Sequence, residues 1–274
     1  MSSPAAAGVL LSAWDREMAA AGRSQRTRQE RVGIVGRVAR ATGEPVDAFT
    51  RDGLVTFLAA PQFAPSTRAT YWAGLKAWSG WLTMAGHRRD DPTVSMTRVK
   101  SVKGLPRPIT TPELERLLAT RMWPTTRAQI LLAAYCGLRV HEIAKVRGED
   151  IRGDSLVVRG KGNRVDVLPL HPRLLDVAAR MPAAGWWFPS ASEPSGHVNR
   201  ASVSAVISRT MGRAGVPGTA HSLRHWFGTE LVRGGANLRV VQELLRHSSL
   251  ATTAMYTKVD DRQRRAGLAA LPVV

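Results

Sequence analysis

Apolar residues recur at helical spacing through the first third of the chain. Leu10, Trp14 and Met18 fall at i, i+4 and i+8, one stripe of an amphipathic helix. Val32, Val35 and Ala39 mark a second helix, which follows a basic run from Arg23 to Arg31. Leu54, Phe57 and Leu58 mark a third, entered from Asp47 or Thr50. The fourth starts near the cap candidate Ser66 and carries Tyr71, Leu75, Trp78 and Leu82 on one face. These stripes read as the core of a helical domain over residues 1–86, in preference to an aromatic cofactor box. Residues 87–108 then lose all periodicity and hold three prolines and a glycine, the composition of an interdomain linker. Six basic residues and no Phe, Trp or Tyr also suit this stretch to lie along a polyanion.

Beyond residue 108 the pattern changes. Thr111, Pro112 and Glu113 signal a helix start. Residues 127–136 are an apolar helix ending at Gly137, and a second helix is expected from His141 to Arg147. LVVR, the turn GKGN and RVDVLPL (156–170) alternate as a β-hairpin. Helices are expected near 172–181, 199–214, 221–234, 238–246 and 249–256, followed by a tail that is first basic and then apolar. The expected fold is mainly α: an N-terminal four-helix domain, then an α+β domain over 109–259 with a small hairpin sheet, and a tail over 260–274.

Charge narrows the class of partner. The formal net charge is +18, and residues 91–274 carry 27 basic against 14 acidic residues. Such an excess points to a polyanion, nucleic acid first, with a basic ribosome-associated protein as the plainer alternative. Thirty-three of the 39 basic residues are arginine, whose fork suits bidentate phosphate contacts. One cysteine, Cys136, sits in an apolar run and excludes both an intramolecular disulfide and a thiolate zinc cluster. The start MSSPAAAGVL has no basic n-region, and no window approaches a membrane span, so the expected location is the cytoplasm or nucleoid.

Six residues of the second half suggest phosphoryl chemistry: Arg139, Lys161, His221, Arg224, His247 and Tyr256. Phosphoryl transfer needs an in-line nucleophile, charge neutralisation on the non-bridging oxygens and a proton for the leaving oxygen. No carboxylate set suited to holding Mg²⁺ is evident, and two arginines can replace the metal. Arg139 follows a helix end. Arg224 lies one helical turn from His221. Each residue has a plainer reading. Lys161 between Gly160 and Gly162 is an ordinary turn lysine unless it reaches into a groove. His221 and His225 have the spacing of a metal pair but no third ligand in register. His247 can cap a helix. Tyr256 can be a packed phenol, since its ordinary pKa near 10 requires cationic neighbours for nucleophilic work.

The ordered context is more specific. GLRVHEIAKVRGEDI, VVRGKGNRVDVLPL, HSLRHWFGTELVRGG and LLRHSSLATTAMYTKV together resemble the tyrosine recombinase (phage integrase) family, closely over 110–259 and more loosely over 9–86. The resemblance implies a helical core-type DNA-binding domain ahead of the catalytic domain, the two clamping duplex DNA. It implies that Arg139 is the first catalytic arginine, Lys161 the general acid on the hairpin, and His221 and Arg224 the HxxR pair. It further implies His247 at the His/Trp position, Glu142 as a supporting acid and Tyr256 as the nucleophile. Tyr256 would form a 3′-phosphotyrosyl link while a 5′-hydroxyl leaves, without metal, ATP or other cofactor.

The implied partners are double-stranded attachment sites and three further copies in a tetramer, with room for a directionality factor. The tail 260–274 would dock on a neighbouring protomer. An early start to the helical domain suggests a compact integrase without an arm-binding domain, resembling those of actinobacterial phages. The sequence departs from the family at Arg246, where glycine is usual, and at His141, Ser222 and Trp226. Arg246 is therefore a candidate phosphate contact, beside Arg26, Arg28 and Arg31 as DNA contacts of the helical domain. Competing readings are an Xer-type chromosome dimer resolvase, a type IB topoisomerase, a metal nuclease and a non-enzymatic DNA-binding regulator.

Overall fold

The computed structural model describes residues 4–99, 107–160, 165–192 and 196–247. Two compact units divide the chain, Met1–Gly104 and Leu105–Val274. In the first, α1 (Pro4–Ala20), α2 (Gln25–Thr42), α3 (Arg51–Ala59) and α4 (Pro65–Met84) surround one core. Ser24 caps α2 by accepting from the Thr27 N–H, and Thr50 caps α3 by accepting from Gly53. Ser66 is not the cap of α4: the cap is Ala64, and Pro65 in the first turn presets the helical φ instead. Trp14, Trp78 and Trp81 form the centre of the core, with ring centroids 5.0 Å apart for Trp14–Trp78 and 5.1 Å for Trp78–Trp81. The buried indoles keep their donors satisfied, Trp78 on the Val46 carbonyl and Trp81 on Glu17, each at 2.6 Å. Gly74 lets α4 approach α2, since a Cβ there would lie 2.8 Å from Ile34 Cδ1.

Part of the expected linker belongs to this unit. Arg88 forks onto Asp90 at 2.8 and 2.9 Å and donates to the Phe49 carbonyl at 2.7 Å. Thr93 is buried against Asp91, and Met96 packs on the core. A guanidinium with three acceptors ties down a segment whose proline and charge content read as unstructured.

The second unit opens with α5 (Thr111–Ala119), where Thr110 and Glu113 make a reciprocal capping box. The cap is one residue before the expected Thr111. Helix α6 (Pro124–Tyr135) is buried from Ala128 to Ala134, which explains why its sequence shows no polar face. The expected helix over 141–147 is a single turn, α7 (Val140–Ile143). Beyond it Val146 accepts from the Trp187 N–H at 3.0 Å and Arg147 bridges Trp186, so the backbone is committed to an extended pairing before a 3₁₀ turn at Gly148–Asp150. The strands β1 (Ile151–Arg152), β2 (Ser155–Arg159) and β3 (Val165–Pro169) form one antiparallel sheet in that order. The hairpin register pairs Arg159 with Val165. Strand β1 was not expected, because two residues carry no alternation.

Helices α8 (Pro172–Ala178), α9 (Arg200–Arg213), α10 (Ala220–Arg233) and α11 (Leu238–Leu245) complete the described unit. Helices α8, α9 and α10 all pack on α6. Lys161, the expected helix over 249–256 with Tyr256, and the tail over 260–274 lie outside the described residues. Among the described residues no helix is long and apolar enough to cross a membrane.

Trp78 is fully buried, and its N–H is the donor to Val46. Trp78→Ala is expected to cost about 3–5 kcal/mol, read as a lower urea midpoint for the first unit. A loss under about 1 kcal/mol would contradict the tryptophan-centred core.

Candidate active site

The site is assembled from helix ends. Helix α6 stops at Tyr135, and Gly137 turns the chain with φ 59. A Cβ at Gly137 would lie 2.6 Å from a ring carbon of Phe227, so α10 also needs glycine there. This turn delivers Arg139 as the first residue of the next cap. The Arg139 N–H donates to Glu142 Oε2 at 2.8 Å, and its Nη1 donates to Oε1 at 3.1 Å. Arg224 rises from α10 and donates to the carbonyls of Gly137 and Leu245. It is 1% exposed. The carbonyls at helix C-terminal ends lack intrahelical donors and carry partial negative charge, so they are natural seats for guanidinium groups.

Helix α11 closes the cluster. Arg246 ends it in the left-handed conformation, φ 53 and ψ 46, the one non-glycine residue with positive φ among the described residues. The backbone cost is about 1–2 kcal/mol. The next N–H, of His247, returns to the Gln242 carbonyl at 3.0 Å, a Schellman closure. Gln242 Nε2 donates back to the His247 carbonyl at 3.1 Å. The Arg246 side chain turns inward. Its Nη2 donates to Glu142 Oε2 at 2.7 Å and to the Gly137 carbonyl at 3.3 Å, and its Nη1 donates to Leu244 at 2.9 Å. Both side chains of the Arg246–Glu142 pair are 3% exposed or less. Arg246, expected as a phosphate contact, spends its charge in this structure on a buried carboxylate.

Electrostatics follow from this crowding of cations. Burial raises the Glu142 pKa, but Arg246, the Arg139 N–H and the Arg139 charge outweigh it and leave the carboxyl below its ordinary value. His247 is pushed down to about 4 by burial and then by Arg224, Arg139, Arg246 and His225. His225 is pushed to about 4 by burial, His221 and Arg224. His221 is lowered by burial, Arg224 and Arg139. Its ring lies 4.2 Å from that of His225, edge-on. The same surroundings bury the Cys136 thiol and raise its pKa to about 12, as befits an inert core residue.

The structure thus gathers these side chains around Arg139, whose charge reaches Glu142, His221 and His247, while that of Arg224 reaches both histidines. No group of three metal-ligating side chains occurs among the described residues. The arrangement can accept a compact anion: Arg224 is held by backbone carbonyls and Arg139 by the Glu142 carboxylate, and the histidines are neutral at pH 7 and able to donate. Sequence reasoning missed the Gly137 carbonyl, which accepts from both Arg224 and Arg246, and Gln242, which fixes His247. It also missed Asp150, buried and paired with Arg159 at the end of β2. Of the expected contacts on α2, Arg26 is exposed. Arg28 instead pairs with Asp15 at 2.5 Å, and Arg31 leans on Met18.

The two histidines near 4 bind protons in an unfolded chain near pH 6.5 but not in the folded one. The unfolded state therefore holds more protons between pH 6.5 and 4, and stability rises with pH across that window. Thermal unfolding is expected to move to lower temperature between pH 7 and 5, with a shallower dependence in His225→Gln. Equal slopes for the two proteins would contradict the assignment.

The family model described as the phage integrase family matches residues 108–263. Tyrosine recombinase XerD of Brucella suis is 32% identical over 231 residues, 74% of each chain. The integrase from mycobacterium phage Brujita is 44% identical, covers 94% of this chain and 91% of its own, and superimposes with a TM-score of 0.52. A lambda integrase tetramer bound to a Holliday junction matches at TM-score 0.75 with 18% identity, over 93% of this chain and 79% of that one, a likeness of fold. The cluster of helix-end arginines and neutral histidines thus lies within the matched segment, and the chain belongs to the phage integrase family: it is a tyrosine-type site-specific recombinase.

Proposed function

We propose that the chain integrates and excises a phage or related mobile element by cutting and rejoining double-stranded attachment sites through a 3′-phosphotyrosine at Tyr256. The observation that carries the reading is a pair of arginines, Arg139 held by the Glu142 carboxylate and Arg224 by the Gly137 and Leu245 carbonyls, beside neutral histidines. Tyr256 Oη attacks the scissile phosphorus and forms the P–O bond. His221 takes the phenolic proton. The bond to the 5′-oxygen breaks, and Lys161 gives that oxygen its proton. Arg139 and Arg224 neutralise the non-bridging oxygens, and His247 donates a hydrogen bond to one of them. A 5′-hydroxyl from a partner strand reverses the step. The phosphodiester bond energy stays in the covalent link, so neither ATP nor a metal enters the balance.

The helical unit contributes further duplex contacts through Arg26 on α2. The active assembly is a homotetramer on two sites, in line with the lambda integrase tetramer that shares the fold. A directionality factor is a candidate further partner, and the place of action is the nucleoid. The integrase role is favoured over chromosome dimer resolution by the greater identity and coverage of the mycobacteriophage integrase relative to XerD.

A nicked duplex carrying an attachment site tests the chemistry in EDTA, because the short fragment released on cleavage leaves no 5′-hydroxyl for resealing. A DNA-linked protein band on a denaturing gel is expected for the wild type and absent from Tyr256→Phe. Arg224→Ala is expected to slow band formation by about 10²–10³. A band that persists in Tyr256→Phe, or cleavage abolished by EDTA, would overturn the proposal.

A further inference from the structure

Glu142 holds a buried carboxylate between two arginines, Arg139 from its own turn and Arg246 from the end of α11. The two are not equivalent. Arg246 reaches Oε2 at 2.7 Å with a side chain 3% exposed, whereas Arg139 reaches Oε1 at 3.1 Å with a side chain 35% exposed. Arg139 Nη2 also donates to the Arg246 carbonyl at 3.4 Å. Resting on the recombinase reading above, we propose that Arg246 is a positioning residue: it neutralises Glu142 so that Arg139 stays turned outward for the DNA phosphate.

The argument is one of competition for a single fork. A buried carboxylate must be compensated by donors and opposite charge. The Arg139 N–H and the Arg246 guanidinium both serve Oε2, at 2.8 and 2.7 Å. Arg139 then spends one guanidinium nitrogen on Oε1. Without Arg246, the same carboxylate favours a bidentate hold on Arg139, the geometry guanidinium and carboxylate prefer. That would draw the fork away from an incoming phosphate. The backbone at Arg246 makes the arrangement conspicuous. Glycine adopts φ 53 without strain, yet this chain keeps arginine there and buries it.

The test separates positioning from phosphate contact. In Arg246→Gly the left-handed cap is retained and only the guanidinium is lost. Covalent complex formation at saturating DNA is expected to slow by about 10-fold or more. Arg246→Asn, which tolerates the same backbone, is expected to match it and serves if Arg246→Gly does not fold. Arg246→Lys is expected to recover most of the rate. In a Glu142→Gln background, where no carboxylate pulls on Arg139, the further loss from Arg246→Gly is expected to shrink below about 2-fold.

Unchanged cleavage in both uncharged variants would overturn the inference. So would a salt slope reduced by about 0.9 that persists in the Glu142→Gln background, the mark of a phosphate contact made by Arg246 itself, and so would full additivity with Glu142→Gln. A wild-type protein that forms no covalent complex would instead overturn the recombination chemistry itself.

Discussion

The Gly137 carbonyl and the Glu142 carboxylate are the anchors on which the site depends. Together they accept from Arg139, Arg224 and Arg246, which come from three separate helices. Three guanidinium groups packed together would repel, and the repulsion is tolerated because every one is met by an oxygen that the fold places first. The turn at Gly137 supplies one such oxygen and aims Arg139. The capping of α7 by Glu142 supplies the other. Helix α6, buried nearly all round, is the rigid strut that brings Gly137 against Phe227 of α10 and Leu245 at the end of α11.

The same crowding fixes the protonation of the histidines. With His225 and His247 near 4, the positive charge among the described residues of the site is carried by arginine. A neutral imidazole can donate one hydrogen bond to phosphate or accept one proton, whereas a charged one could do only the first. Neutral histidines held among arginines therefore leave room for an incoming anion to supply the missing negative charge. In the proposed mechanism that anion is the scissile phosphate, and no side chain must reorganise its charge to receive it.

Much of the fold was legible because burial follows period. The stripes through Trp14, Leu54 and Trp78 and the alternation flanking GKGN belong to elements whose apolar faces meet the core of their own unit. Failures arose where tertiary contacts override local pattern. Residues 141–147 have helical composition, but the pairing of Val146 and Arg147 with the Trp186–Trp187 segment cuts the helix to one turn. Residues 87–96 look like a linker until Arg88 finds Phe49 and Asp90. In the site, Arg139 and Glu142 are neighbours in sequence, so their pairing could be anticipated. The pairing of Arg246 with Glu142 was not legible because the two lie in different helices, far apart in sequence. Gly137 contributes through its backbone, which no side-chain motif reports.

Charge neutralisation by Arg139 and Arg224 is the claim on which the functional account turns. The most direct measurement compares strand cleavage of a normal attachment site with one whose scissile link is a neutral methylphosphonate, for the wild type and for Arg139→Ala. If the guanidinium serves the non-bridging oxygens, Arg139→Ala should lose about 10²–10³ in rate on the phosphate substrate and only a few-fold on the methylphosphonate, which lacks that charge. Equal losses on both substrates would show that Arg139 holds the fold together and does not meet the phosphate.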